Sequence, residues 1–216
     1  METIYSVLNG NCERKDLELF PDVLNESWKD LLRTTPDLFE ERLHSGELFI
    51  GSYSNGKPSG LLETISLNLQ EPPSNMTNFV DMAAYIARQL GDYNQVTWKG
   101  HWKLKPEDPN TLLFVDLTVA SDFRKSSNIY YSGPSLSDGI VNVAKTILSK
   151  RDPSNLRFVI TYTPALQGII DFHKRQNAFD TGVLVKNARP THKLKDVNPM
   201  CYMAPGFLAP VMEIKK

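Results

Sequence analysis

The stretch TLLFVDLTV, residues 111–119, constrains this chain more than any other. Aliphatic and β-branched residues dominate it and neither glycine nor proline interrupts it, so it reads as a largely buried strand. A loop, FRKSSNIYYSGPSLSDGI (123–140), leads into a helix predicted to run to about Lys150, with Leu136, Ile140, Val143, Ala144 and Ile147 on one stripe. LRFVITYT (156–163) reads as the next strand, and PALQGIIDFHKRQ as a helix opening on Pro164. Strand, helix, strand, helix in that order implies right-handed crossovers and a locally parallel sheet.

The remaining elements flank this core. A short strand is expected at Ile4–Leu8, then a helix from about Pro21 to Leu32 with Val23, Leu24, Trp28 and Leu31 on one side. A second helix has Thr35 as cap, Pro36 at its first position and Gly46 at its stop. ELFIGSYSNGKPSGLLETISLNL then reads as a hairpin, because Asn55-Gly56 tolerates the positive φ angles of a primed turn. The next helix is capped by Thr77 or Asn78 and is predicted to end at Gly91. Two last strands fall near Thr181–Val185 and Met200–Ala204. The expected class is α/β: an α+β mixed sheet of about six to seven strands with helices on both faces. Residues 1–216 are expected to form a single domain, with a helical, aromatic insertion at about 71–110.

Composition narrows the function. At 41% hydrophobic and 23% charged residues, the chain carries enough apolar material for a packed core. Lysine and arginine number 24 against 25 aspartate and glutamate, so no charge excess points to nucleic acid or to a membrane as partner. No apolar run reaches the roughly 20 residues of a bilayer span, and the first residues lack the pattern of a secretory leader. A cytoplasmic protein is expected. Cys12 and Cys201 stand alone, and neither they nor the four histidines show metal-ligand spacing, so no metal is expected.

The 123–140 loop has parts that suit a phosphate. Helix N-termini offer free N–H groups and a favourable dipole, and glycine permits close approach. Gly133 supplies such a position, Ser127, Ser135 and Ser137 supply hydroxyls, and Arg124 and Lys125 supply charge, while Pro134 lacks an N–H. The same residues also read as a plain helix cap at Ser132 or Ser135, with Asp138 favourable to the dipole and no ligand. GPSLS is not a serine-hydrolase elbow, because the second glycine and the sharp turn are missing.

From Leu112 to Val185 the order resembles the GNAT-type N-acetyltransferases. LLFVDLTVASDFRK looks like that family's central strand and its exit, with Arg124 in the place of the basic residue of the Arg/Gln-x-x-Gly-x-Gly/Ala turn. GPSLSDGIVNVAKTI looks like the following helix, with Gly133 as the last turn glycine and Ala144 as the far alanine. VITYTPALQGIIDFHKRQNAF is similar to the next strand and helix, with Ala178-Phe179 replacing a Gly-Phe pair. Ser127 takes the place of the first turn glycine, and about four extra residues, Tyr130 and Tyr131 among them, lengthen the turn.

The resemblance implies a GNAT-like acyl-CoA N-acyltransferase fold, with acetyl-CoA or another acyl-CoA as co-substrate and an amine of a small molecule as acceptor. Leu117, Thr118 and Val119 would hold the pantetheine arm through their backbone. Arg124, Lys125, Ser127, Gly133 and Ser135 would hold the diphosphate. Alternation puts Asp116 on one strand face with Thr118, which makes Asp116 the first candidate base for the acceptor's proton and Glu63 the second. The tyrosine acid of the family is absent. His173 would take its place, with Tyr162 and Tyr131 as weaker options. Glu63, Trp98, His101 and Trp102 would line an acceptor pocket, the aromatics offering flat apolar surface with polar tips. The bland alternatives are a hydrogen-bonded aspartate, a non-catalytic histidine and a satellite core. The alternative for the whole chain is a non-catalytic binding module of the same fold with a degenerate loop. An exposed sheet edge near the C-terminus would suit a homodimer.

Overall fold

The structure is a computed structural model. It describes residues 2–9, 12–27, 34–45, 48–97, 107, 109–124, 135–150, 156–164, 167–183, 185–186 and 196–203. Among them lie eight strands and six helices, in an α/β arrangement with a mixed sheet. The chain divides into two compact units, Met1–Ile65 with Phe114–Lys150, and Ser66–Leu113 with Arg151–Lys216.

The strands β1 (Thr3–Val7), β2 (Leu48–Ser54), β3 (Lys57–Leu67) and β4 (Thr111–Val119) are neighbours in that order, the first unit holding β1, β2, β3 up to Ile65 and β4 from Phe114. β1–β2 and β2–β3 pair antiparallel, and Asn55 and Gly56 turn the hairpin at φ 51° and 75°. This is the primed turn expected of Asn-Gly. Two helices, α1 (Arg14–Ser27) and α2 (Pro36–Ser45), are packed by Phe20, Leu24, Phe39 and Leu43 against Phe49 and Leu61 of the strands. The Phe20 ring meets Tyr53 edge-on at 5.4 Å between centroids. Thr35 caps α2 as expected, its Oγ1 accepting from the Leu38 N–H at 3.3 Å.

α1 begins at Arg14, about two turns before the expected start at Pro21. Pro21 sits inside it, and the cap falls at Glu13, whose N–H donates to Asp16 Oδ2 at 3.1 Å. A proline costs a helix one backbone bond, and burial of Phe20, Val23 and Leu24 offsets that loss. Trp28 and Leu31 lie outside the described residues.

β4 leads through a short helix, α4 (Ser121–Arg124), towards α5 (Leu136–Lys150), and α5 packs on β2. The approach of α5 is close because β3 carries Gly60. A Cβ there would lie 2.9 Å from Ile140 Cδ1 and 3.0 Å from the Thr118 carbonyl oxygen.

The second unit holds β5 (Phe158–Pro164), β6 (Phe179–Asp180), β7 (Val185–Lys186) and β8 (Asp196–Met203). β8 pairs antiparallel with β5, β6 and β7, so the strand expected near Thr181–Val185 is two short pieces, and β8 starts four residues before Met200. The Asn110 carbonyl accepts from the Arg157 and Phe158 N–H groups at 2.8 and 3.1 Å, which aligns the start of β4 with the start of β5 in one direction. The Asn110 side chain imitates a strand by bonding both the N–H and the C=O of Leu69, at 3.0 and 2.8 Å. α3 (Phe79–Thr97) is started by Asn78, whose Oδ1 accepts from Val80 N–H at 2.8 Å. It runs through Gly91 rather than ending there, since glycine weakens a helix interior by only about 1 kcal/mol. Pro164 ends β5 instead of opening a helix, and α6 runs from Gln167 to Arg175.

Candidate functional site

The second half of β4 carries the residues singled out for chemistry. From Phe114 on, burial alternates: Asp116 and Thr118 are buried while Leu117 and Val119 are partly exposed. An aspartate in such a position needs a partner, because an isolated buried charge is costly. Its partner comes from α2. Arg42 Nη2 donates to Asp116 Oδ2 at 3.3 Å. The same guanidinium grips Glu63 of β3 in a fork, through Nε at 2.7 Å to Oε1 and through Nη2 to Oε2. Arg42 Nη1 reaches Thr34 Oγ1 at a longer 3.5 Å.

The cluster is closed off from solvent, with side-chain exposures of 14% for Arg42, 3% for Glu63 and 4% for Asp116. Burial alone would favour neutral arginine, but the two carboxylates outweigh it and raise the guanidinium above its ordinary value. Asp116 and Glu63, the two candidate bases, therefore share one buried cation. A proton placed on either carboxylate comes at the expense of its bonds to Arg42.

Just beyond β4 the chain is tied down. Ala120 N–H donates to the Ser59 carbonyl at 2.9 Å, and Arg124 Nε donates back to the Val119 carbonyl at 2.5 Å. The exposed Arg124 thus sits at the strand exit. Lys125, Ser127 and Gly133 lie outside the described residues.

α5 opens on Ser135, which caps it. Its Oγ accepts from the Asp138 N–H at 3.2 Å and donates to Asp138 Oδ2 at 2.6 Å, and its own N–H donates to the same carboxylate oxygen at 3.1 Å. This is a capping box with aspartate in the third helical position. The first-turn N–H groups of Leu136 and Ser137 have no acceptor within the helix. The Tyr5 phenol lies over the same turn, since a Cβ on Gly139 would fall 1.9 Å from its hydroxyl oxygen. Burial, and then the charge of Asp138, raise the Tyr5 pKa.

In the second unit, His173 on α6 is 5% exposed and packs edge-on against Phe172, 5.0 Å between ring centroids. Burial lowers its pKa to about 4, so at neutral pH it carries no charge and is poorly disposed to give up a proton as an acid. Tyr162 lies on β5 opposite Pro199, with its side chain outside the description. Tyr131, Trp98, His101 and Trp102 lie outside the described residues. Cys12 is half-buried, and burial followed by the charges of Asp16, Glu40 and Glu13 pushes its thiol up to about 11, far from a nucleophile. Among the described residues no group of three or more His, Cys, Asp or Glu could hold a metal, and no helix is long and apolar enough to cross a membrane.

Arg42 is the residue that sequence reasoning missed. Its carboxylates lie 21 and 74 residues away, beyond the reach of any local pattern.

No family model matches the chain and no curated protein matches it in sequence. Solved structures do match in shape. The GphF GNAT-like decarboxylase, solved with isobutyryl-CoA, superposes with a TM-score of 0.64 at 11% identity, covering 94% of this chain and 100% of that one. The loading GNATL domain of CurA from Lyngbya majuscula gives 0.60 at 11% identity over 95% and 99% of the two chains. An N-acetyltransferase from Staphylococcus aureus Mu50 gives 0.59 at 11% identity over 94% and 99%. The fold is that of the GNAT-type acyl-CoA N-acyltransferases, reached at a sequence identity that carries the fold alone.

Proposed function

We propose that this protein is an acyl-CoA-dependent N-acyltransferase that acts on a small amine by direct attack on the thioester. The observation that carries this reading is local: in the first unit the partly exposed end of β4, Leu117–Val119, lies close to α5, as the tight approach of Ile140 to Gly60 and the Thr118 carbonyl requires. A strand end and a nearby helix suit a ligand with an extended arm and an anionic end. GphF, which shares the fold, binds isobutyryl-CoA.

In this reading Leu117, Thr118 and Val119 hold the pantetheine arm through their backbone, and Arg124 meets a phosphate at the strand exit. When bound, the acyl-CoA supplies the activated acyl group and a thiol leaving group. A thiol has an ordinary pKa near 8.5, so its departure does not demand a dedicated acid, in keeping with a neutral His173. Proton removal from the acceptor is less well served, because Asp116 and Glu63 are both bound to Arg42. This favours acceptors with a larger neutral fraction near pH 7, such as aromatic amines, which are neutral, and α-amines with pKa values near 8, about a tenth neutral, over lysine-type amines near 10.4.

The test is thiol release from acetyl-CoA with amines graded by pKa. At pH 7 the reading expects turnover with the weakly basic members, and rates for lysine-type amines at least about tenfold lower, following their neutral fraction. Absence of turnover with every class of amine, at saturating acetyl-CoA, would reject catalysis.

The second reading, a non-catalytic binding module, is favoured by one observation: the first turn of α5 is already capped by Ser135 and Asp138. It expects stabilisation by coenzyme A with no thiol release.

A further inference from the structure

The fit between the described residues of this site and coenzyme A is uneven. The β4 end offers backbone and a cation, but the opening of α5 is taken by a carboxylate. Asp138 Oδ2 accepts both the Ser135 N–H at 3.1 Å and the Ser135 hydroxyl at 2.6 Å, which holds the negative charge over the first turn. An anion bound there would face it. The charge is felt by its surroundings as well: it raises the pKa of Tyr5 and works against the lowering of Lys145 by burial.

We infer that Asp138 is a specificity-determining residue that weakens the hold on the diphosphate of coenzyme A, so that affinity for an acyl donor rests mainly on its pantetheine arm. The inference rests on the acyl-CoA reading above. Its physical basis is Coulomb repulsion between a fixed carboxylate and a diphosphate brought to the same helix end, near the protein surface. There each unit of like charge changes a binding constant by roughly tenfold. The capping box favours the free helix, because aspartate in the first turn complements the dipole. The same group that completes the helix end therefore opposes the ligand that such an end would otherwise attract.

The experiment is calorimetric titration of the full chain and its Asp138→Asn variant with coenzyme A and with pantetheine, which has no phosphate. Asparagine keeps an oxygen for the Ser135 N–H and removes the charge. The expected result is about tenfold tighter binding of coenzyme A by the variant, with pantetheine binding changed less than about twofold. If the wild type binds coenzyme A and the variant binds it equally or more weakly, Asp138 has no such role and the acyl-CoA reading stands. Equal tightening for both ligands would also overturn the inference, since the effect would not lie in the phosphates. If neither chain binds coenzyme A, the inference and the acyl-CoA reading fall together.

Discussion

Arg42 and His173 are both basic side chains taken out of water, and they end in opposite states. Arg42 lies between Glu63 and Asp116 and keeps its charge more firmly than in solution. His173 is lowered by burial to about 4 and loses its charge at neutral pH. Burial removes a charge when it acts alone and fixes one when carboxylates stand beside it. For function the two states carry the same message. The carboxylates next to Arg42 are committed to an ion cluster, and His173, uncharged at neutral pH, is a poor acid there.

The largest effect that would sharpen this contrast is loss of the cation. Arg42→Met leaves two carboxylates buried without it, and unfolding in urea is expected to show a loss of about 3–5 kcal/mol. Combining it with Glu63→Gln and Asp116→Asn is expected to recover a large part of that loss, because no uncompensated charge remains. A triple variant no more stable than the single one would show that packing, not charge, holds the cluster.

His173 gives the next effect, and its sign follows from a folded pKa lower than the unfolded one. Above about pH 6.5 neither state binds the proton and the group is silent. As the pH falls from 6.5 towards 4, the unfolded chain takes up a proton that the folded chain refuses, and stability drops by up to about 3 kcal/mol. His173→Gln is expected to remove this part of the acid sensitivity. The check is the difference between wild type and variant in urea melts at pH 7 and pH 4.5. Parallel pH dependence in the two chains would mean that His173 is solvated in the fold.

The smallest effect belongs to a half-buried charge at a helix end. Asp138→Ala removes half of the α5 capping box and a favourable dipole contact, and about 1 kcal/mol of stability is expected to go with it in the absence of ligand. A loss as large as that from Arg42→Met would show that the buried position of the Arg42 cluster is not what makes its charges costly to unpair.

What was legible in the sequence was local. Asn55-Gly56, Thr35-Pro36 and Asn78 announce a turn and two helix starts through interactions spanning only two or three residues. The cap reading of Ser135 with Asp138 was legible for the same reason. β4 was visible because its buried face is continuous with its apolar composition. Long-range pairing was not. Nothing near Arg42 in the sequence indicates Glu63 or Asp116, and nothing near Asn110 indicates that its amide closes on Leu69, 41 positions earlier. Pro21 and Gly91 misled in a common way. Pro21 is a strong local veto on a helix and Gly91 a weak one, and each was outweighed, at Pro21 by the buried face that α1 presents through Phe20 and Leu24.

In the proposed complex an acyl-CoA lies along the end of β4 and meets the first turn of α5. The most direct measurement is an amide chemical-shift map of the chain titrated with coenzyme A. The claim predicts the largest shifts at Leu117, Thr118 and Val119, with further shifts at Leu136, Ser137 and Asp138 that disappear when pantetheine replaces coenzyme A. Shifts confined to other parts of the chain, or none with millimolar ligand, would contradict it.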